Sequence, residues 1–124
     1  MSQIPSNLYY TASHEWLLIE GNLATVGITD HAQSELGDLV YVQLPEVSAA
    51  LDTGDDMAVV ESVKAASEVL APLPGKVVEV NDQLSDSPHL INTEPYDAWI
   101  VKLEVDQDVD TGNLLTPQQY EGHI

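Results

Sequence analysis

The chain offers few side chains from which a catalytic site could be built. Its 124 residues include four histidines, 21 aspartates and glutamates, three lysines, no arginine and no cysteine. Without cysteine there is no thiol nucleophile, no disulfide and no thiolate metal ligand. No histidine stands at the helical spacing typical of a zinc site, and no Gly-rich phosphate loop or Gly-x-Ser-x-Gly motif occurs. We therefore expect no catalytic residues and no metal site.

One segment does suggest chemistry, the eight residues ESVKAASE from Glu61 to Glu68, which read nearly the same in both directions. The pattern predicts a tight β-hairpin in which Lys64 and Ala65 form the turn and Glu61 lies opposite Glu68. Two-residue turns favour Asn-Gly or Gly-X because they need positive φ, so Lys-Ala is unfavourable there. A broken local rule often marks a functional position. It predicts that Lys64 is displayed for covalent attachment of an acyl cofactor; the alternative is that it only offsets nearby negative charge.

The elements that must position this lysine are mostly strands separated by Gly and Pro turns. Short helices are predicted near 30–36, capped by Thr29 or Asp30, and from Thr116 to the C-terminus. Residues 81–95 are predicted to form a surface loop, and the strand at 38–44 to be buried on both sides. Apolar alternation predicts strands at 14–19, 23–28, 38–44, 57–63, 67–71, 76–80 and 98–105. The pattern indicates an antiparallel sandwich or barrel-like β domain.

The core is predicted from the inward positions of these strands. The candidates are Leu39, Val42, Val59, Val63, Val77, Val80, Ile100 and Leu103.

Charge and length narrow the function classes. The formal net charge is −18 and the isoelectric point about 4.1, so neither nucleic acid nor an anionic membrane is an expected partner. We expect one domain over residues 1–124. No apolar run is long enough for a transmembrane helix, and the N-terminus shows no targeting segment. The expected location is the bacterial cytoplasm.

Lys64 and the motifs around it resemble the lipoylation region of the H proteins of the glycine cleavage system. The resemblance covers roughly residues 8–121 and keeps the order of the motifs. The matching motifs are HEW at 14–16, VGITDHAQ at 26–33, LGD at 36–38, ESVKAASE at 61–68, AP at 71–72, GKVVEVN at 75–81, DSP at 86–88, LIN at 90–92, PY at 95–96 and Trp99.

The resemblance implies a lipoyl/biotinyl-type sandwich (barrel-sandwich hybrid) of antiparallel sheets and a non-catalytic carrier with lipoate on Lys64. The arm would accept an aminomethyl group from a pyridoxal-phosphate glycine decarboxylase and present it to a tetrahydrofolate-dependent aminomethyltransferase. A dihydrolipoyl dehydrogenase would reoxidise the arm, and lipoate-attaching enzymes would load it. By motif position, Glu15, His31 and Glu68 are candidates for a cleft in which the arm docks.

Two departures from the family pattern concern this cleft: Glu35 stands where relatives often carry a histidine, and Glu68 where aspartate is common. Two other readings stay open at this point. The chain could be a different swinging-arm module, either a lipoyl domain of a 2-oxoacid dehydrogenase or a biotin carrier. It could also be an unmodified β-sandwich interaction module.

Overall fold

A computed structural model describes residues 4–106, 111–112 and 114–124. The elements of this part of the chain are, in order, β1 Tyr9–Tyr10, β2 Glu15–Glu20, β3 Leu23–Ile28, α1 Asp30–Leu36, β4 Leu39–Gln43, β5 Ala50–Leu51, β6 Asp56–Ser62, β7 Ala66–Leu70, β8 Gly75–Val80, α2 Gln83–Asp86, α3 Leu90–Thr93, β9 Val101–Glu104 and α4 Pro117–His123. None of these helices is long and apolar enough to cross a membrane.

The strands form two antiparallel sheets. Six strands are ordered β1-β2-β3-β9-β8-β5, and three are ordered β4-β6-β7. The main core cluster draws buried residues from both sheets, among them Leu17 of β2 and Val60 of β6. The expected mainly β fold, with a short helix near 30–36 and a C-terminal helix, is confirmed.

Both predicted helix starts are made by side-chain caps. The Thr29 hydroxyl accepts a hydrogen bond from the Ala32 amide at 3.2 Å, which satisfies one of the donors left open at a helix start. Thr116 begins α4 with a capping box, because its hydroxyl and the Gln119 side chain each bind the other residue's amide. At the other end of α1, Gly37 has φ 81° and ψ −159°, a conformation that only glycine adopts readily.

The prediction that the strand at 38–44 is buried on both sides is wrong. Val40 is 56% exposed and Tyr41 is 48% exposed, whereas Leu39 and Val42 are buried. The pairing with β6 shifts between Leu39 and Tyr41. A bulge of this kind breaks the two-residue alternation, so two consecutive apolar side chains face outward.

The segment 81–95 is not only a surface loop. It contains α2 and α3, each of four residues, which place the fully buried side chains of Leu84 and Ile91 in the core. Helices this short contain about one turn, so they leave no periodic apolar pattern in the sequence.

Most of the predicted core is confirmed. Val59 and Val80 are half-buried, and Val63 is wrong because it is 71% exposed. The predicted residues that are buried are Leu39, Val42, Val77, Ile100 and Leu103.

Candidate functional site

Lys64 lies at the apex of the β6–β7 hairpin, in the three-stranded sheet. The Ser62 amide donates to the Ala65 carbonyl at 2.7 Å, so Val63 and Lys64 form the two-residue connection. Both side chains are exposed. The hairpin therefore presents the lysine amine to solvent from a turn that is anchored by paired strands on both sides.

The predicted register of this hairpin is wrong by two residues. Glu61 pairs with Ala66 and Glu68 pairs with Val59, so the two glutamates do not face each other and their like-charge repulsion is avoided. Because side chains alternate with a period of two, a two-residue shift leaves every side chain on its expected face of the sheet. The turn moves from Lys64-Ala65 to Val63-Lys64, with the lysine still at the apex.

The hydroxyl of Ser62 closes this turn. It accepts from the amides of Lys64 and Ala65 and lies within hydrogen-bond distance of the Ala65 carbonyl, each at 3.1 Å. Among the described residues, the non-glycine positions with positive φ are His14 and Ser48, so Val63 and Lys64 do not adopt the left-handed turn that their types disfavour. The signal in the sequence was the serine just before the turn, since such hydroxyls commonly bind the backbone two residues on.

The segment that follows α1 lies against this turn. The Val63 amide donates to the Asp38 carbonyl at 3.2 Å. The Lys64 side chain passes over Gly37, where a Cβ would lie 3.1 Å from Cε and 3.7 Å from Nζ of the lysine. Asn92 of α3 holds the segment in place, because its amide bonds the Gly37 carbonyl and the Leu39 amide, both at 2.9 Å.

Glu15 is buried at the start of β2, with 2% of its surface exposed. Its Oε1 accepts from the hydroxyls of Thr11 and Ser13, each at 2.6 Å, and its Oε2 lies 3.5 Å from the Leu70 amide. These residues line a groove of about 170 Å³ that also borders Gly54. The carboxylate is thus held at the end of β7 that is remote from Lys64.

The other two candidates for the cleft lie on β7 and α1, and neither lines the groove at Glu15. Glu68 is exposed on β7, two residues before Leu70. His31 lies on α1, where its Nε2 is 3.0 Å from Oε1 of Glu35. Its ring centroid is 4.8 Å from that of His14, the residue before Glu15. The structure thus places Glu68 on the same strand as Leu70 and His31 beside His14, but it brings neither side chain into the groove with Glu15.

The arrangement around His14 could not be read from the sequence, because it joins residues that are far apart in the chain. His14 has φ 73°, and its Nδ1 lies 2.8 Å from the Tyr120 hydroxyl, which lies 2.7 Å from the Thr29 hydroxyl. Burial lowers the pKa of His14, and nearby His31 lowers it further. The contact between His14 Nδ1 and the Tyr120 hydroxyl joins α4 to the start of β2.

Metal binding finds no support in the described ranges, where no group of three or more His, Asp and Glu side chains is arranged to hold an ion.

Comparison with known proteins gives one consistent result. The family model described as Glycine cleavage H-protein matches residues 8–124. The chain is 52% identical over 126 residues to the glycine cleavage system H protein of Alteromonas mediterranea, covering 100% of this chain and 98% of that protein. It is 49% identical over 125 residues to the protein of the same name from Alcanivorax borkumensis, again covering 100% and 98%.

A solved structure agrees with these relatives. The crystal structure of a glycine cleavage system H protein from Mycobacterium marinum superposes with a TM-score of 0.88 at 41% sequence identity. The match covers 96% of this chain and 97% of that one. The likeness therefore extends over the two sheets and the short helices as a whole.

Proposed function

The chain belongs to the glycine cleavage H-protein family and serves as a lipoyl carrier in glycine cleavage, and from this premise we propose that lipoate is attached to the amine of Lys64. The observation that carries the proposal is an exposed lysine at the apex of a two-residue turn between paired strands. Residues 1–124 are proposed to act as a single lipoyl-carrier domain.

The other two lysines fit an attachment site less well. Lys102 lies within β9, with its ammonium 4.8 Å from the centre of the Trp99 ring and 3.9 Å from Oε1 of Glu79. Lys76 lies within β8, which pairs with strands on both sides. An enzyme that modifies a lysine must reach around the amine, and the hairpin apex gives that access.

Attachment requires a nucleophilic amine and an activated acyl group. The Lys64 Nζ forms a bond to the acyl carbon of lipoate, delivered as a mixed anhydride with a nucleotide phosphate. The bond from that carbon to the phosphate oxygen breaks, and Nζ loses one proton. The resulting amide resists hydrolysis, and the lysine and lipoyl chain together span about 15 Å at standard bond lengths.

Once attached, lipoate supplies a disulfide that can accept an aminomethyl group. The role of the chain is to hold this group near the partner enzymes, because a tether of this length keeps it at roughly millimolar local concentration beside a docked site. The partners proposed are the pyridoxal-phosphate glycine decarboxylase, the aminomethyltransferase and the dihydrolipoyl dehydrogenase. The chain itself is proposed to catalyse no step.

Glu15, Glu68 and His31 are proposed to border the cleft in which the arm docks. Lys64 lies six residue steps before Leu70, up to about 20 Å along the strand at 3.3 Å per residue, so an arm of about 15 Å extends past Glu68 and toward the groove at Glu15. The Glu15 carboxylate would attract a protonated amine there, and Glu68 lies along the way on the same strand. This supports a docking role for the groove.

Loading of the purified protein with lipoate by a lipoate-attaching enzyme tests the attachment site. Intact mass should rise by one lipoyl group in the parent protein and stay unchanged in Lys64→Arg, which keeps the charge but offers no amine for the enzyme. Lys76→Arg is the matched control and should load normally. Loading of Lys64→Arg, or glycine-dependent methylene transfer supported by it, would overturn the proposal.

A further inference from the structure

Attachment of lipoate to Lys64, as proposed above, requires an amine that is held in one orientation as well as exposed. A lysine side chain has several rotatable bonds and loses entropy when it is held in one orientation. An enzyme that joins Nζ to an activated acyl carbon needs the amine at one place and pointing in one direction. The turn must therefore be rigid, and the lysine must be aimed.

We propose that Ser62 and Gly37 are positioning residues for the acylation of Lys64, the first by fixing the turn and the second by providing the surface along which the lysine lies. Neither residue touches the acyl group. The inference rests on the proposed attachment site, and it names the contacts that prepare that site.

Ser62 fixes the turn because its single hydroxyl binds the backbone of Lys64 and of Ala65, the residue that follows the turn. It binds the amides of Lys64 and Ala65 and reaches the Ala65 carbonyl, all at 3.1 Å. Neither Val63 nor Lys64 is a glycine, and neither has positive φ. Removal of the hydroxyl leaves both amides without this partner, so the peptide that carries Lys64 gains freedom to rotate.

Gly37 aims the lysine because it has no side chain at the point of contact. A methyl group there would lie 3.1 Å from Cε of Lys64, tighter than ordinary van der Waals contact. The position of Gly37 is itself fixed, by the hydrogen bond from Asn92 to its carbonyl. The Val63 amide binds the next carbonyl, that of Asp38, so turn and surface are joined. The end of the lysine side chain thus lies on a defined surface at the end of α1.

The test measures kcat and KM for lipoate attachment, alongside acylation of Lys64 by acetic anhydride, a small reagent that needs no defined orientation. Ser62→Ala should lower kcat about tenfold, a change of about 1.4 kcal/mol in activation free energy, with little change in KM or in acetylation rate. Ser62→Thr keeps a hydroxyl and should restore loading. Ser85→Ala, on the exposed face of α2, is the matched control and should load as the parent does.

Gly37→Ala gives an independent arm of the test, with Gly21→Ala as its control. Both glycines have positive φ, 81° and 62°, so both substitutions strain the backbone, but only at Gly37 does the new methyl meet the lysine. Gly37→Ala should lower kcat for loading by about tenfold or more, and Gly21→Ala should not. If Gly37→Ala does not fold, the Ser62 series decides alone.

Two results would overturn the inference. In the first, folded Ser62→Ala loads with the parent kcat. In the second, its enzymatic loading and its acetylation fall by the same factor, which would indicate lost access to the amine and not lost aim. Failure of the attachment site would look different, because then the parent protein would take up no lipoate at Lys64 at all.

Discussion

In the part of the chain that the structure describes, two hairpins have two-residue turns, and the two turns are stabilised in different ways. The β2–β3 hairpin turns through Gly21 and Asn22, with Gly21 at φ 62° and open space where its Cβ would be. The β6–β7 hairpin turns through Val63 and Lys64 without positive φ, and it depends on the Ser62 hydroxyl.

The difference shows what it takes to place a lysine at a hairpin apex. The Gly21 turn is local, because the required conformation belongs to the glycine itself. The Lys64 turn depends on contacts with a different part of the chain, the segment Gly37–Asp38. Because Asn92 holds that segment, a substitution in α3 should change the conformation at Lys64. A substitution at Gly21 should have only a local effect.

The largest expected effect is at Asn92, and it tests the contrast between the two turns. Asn92→Ala removes hydrogen bonds to the Leu39 amide, the Gly37 carbonyl and the Gln33 side chain. At about 1 kcal/mol each, the free energy of unfolding should fall by roughly 2–3 kcal/mol, measured by urea denaturation, and lipoate loading should slow. The control is the same substitution in the other turn: Asn22→Ala, at an exposed position, should change stability by less than about 0.5 kcal/mol. Equal losses in the two variants would contradict the contrast.

A smaller effect is expected at Gly21. Gly21→Ala forces an L residue into a left-handed conformation, which costs about 1–2 kcal/mol, and the open space around the new methyl adds nothing. Lipoate loading of the folded variant should equal that of the parent. Gly122→Ala in α4, where φ is not positive, should instead keep or raise stability, because alanine favours helix. A loading defect in Gly21→Ala would show that this turn does communicate with Lys64.

The smallest expected effect concerns the pH dependence of the β2–β3 region. The pKa of His14 is lowered from its ordinary value of 6.5, mainly by burial. The unfolded chain therefore takes up a proton at His14 at a higher pH than the folded chain does. Stability that is present above pH 6.5 should be lost as the pH falls toward the lowered pKa.

Urea denaturation between about pH 7.5 and about pH 5.5, the range in which histidine titrates, measures this loss. His14→Asn should reduce the slope, since asparagine tolerates the positive φ at this position and does not titrate. His89→Asn, at an exposed position, serves as the control. An unchanged slope in His14→Asn would show that other groups account for the pH dependence.

What the sequence could predict depended on whether the determining contacts were local. The helix caps at Thr29 and Thr116 follow from neighbouring residues, and both are confirmed. The exposure of Lys64 was also predicted correctly, because it follows from a turn between two strands. These features need no knowledge of the rest of the fold.

The features that were not predicted correctly depend on a contact made by a side chain or by a distant segment of the chain. The near-palindrome from Glu61 to Glu68 predicts a turn at Lys64-Ala65, whereas the Ser62 hydroxyl favours the register with Val63 and Lys64 in the turn. The contact between His14 and Tyr120 joins residues 106 positions apart. No local pattern encodes such a pair.

The exposed lysine at the hairpin apex has a consequence for how the carrier behaves in the laboratory. The chain has only three cationic side chains against 21 acidic ones, and formation of the proposed amide at Lys64 would remove one of the three. Loaded and unloaded forms should therefore migrate separately in native electrophoresis and elute at different salt on an anion exchanger. The state of a single amine becomes visible in the mobility of the whole molecule.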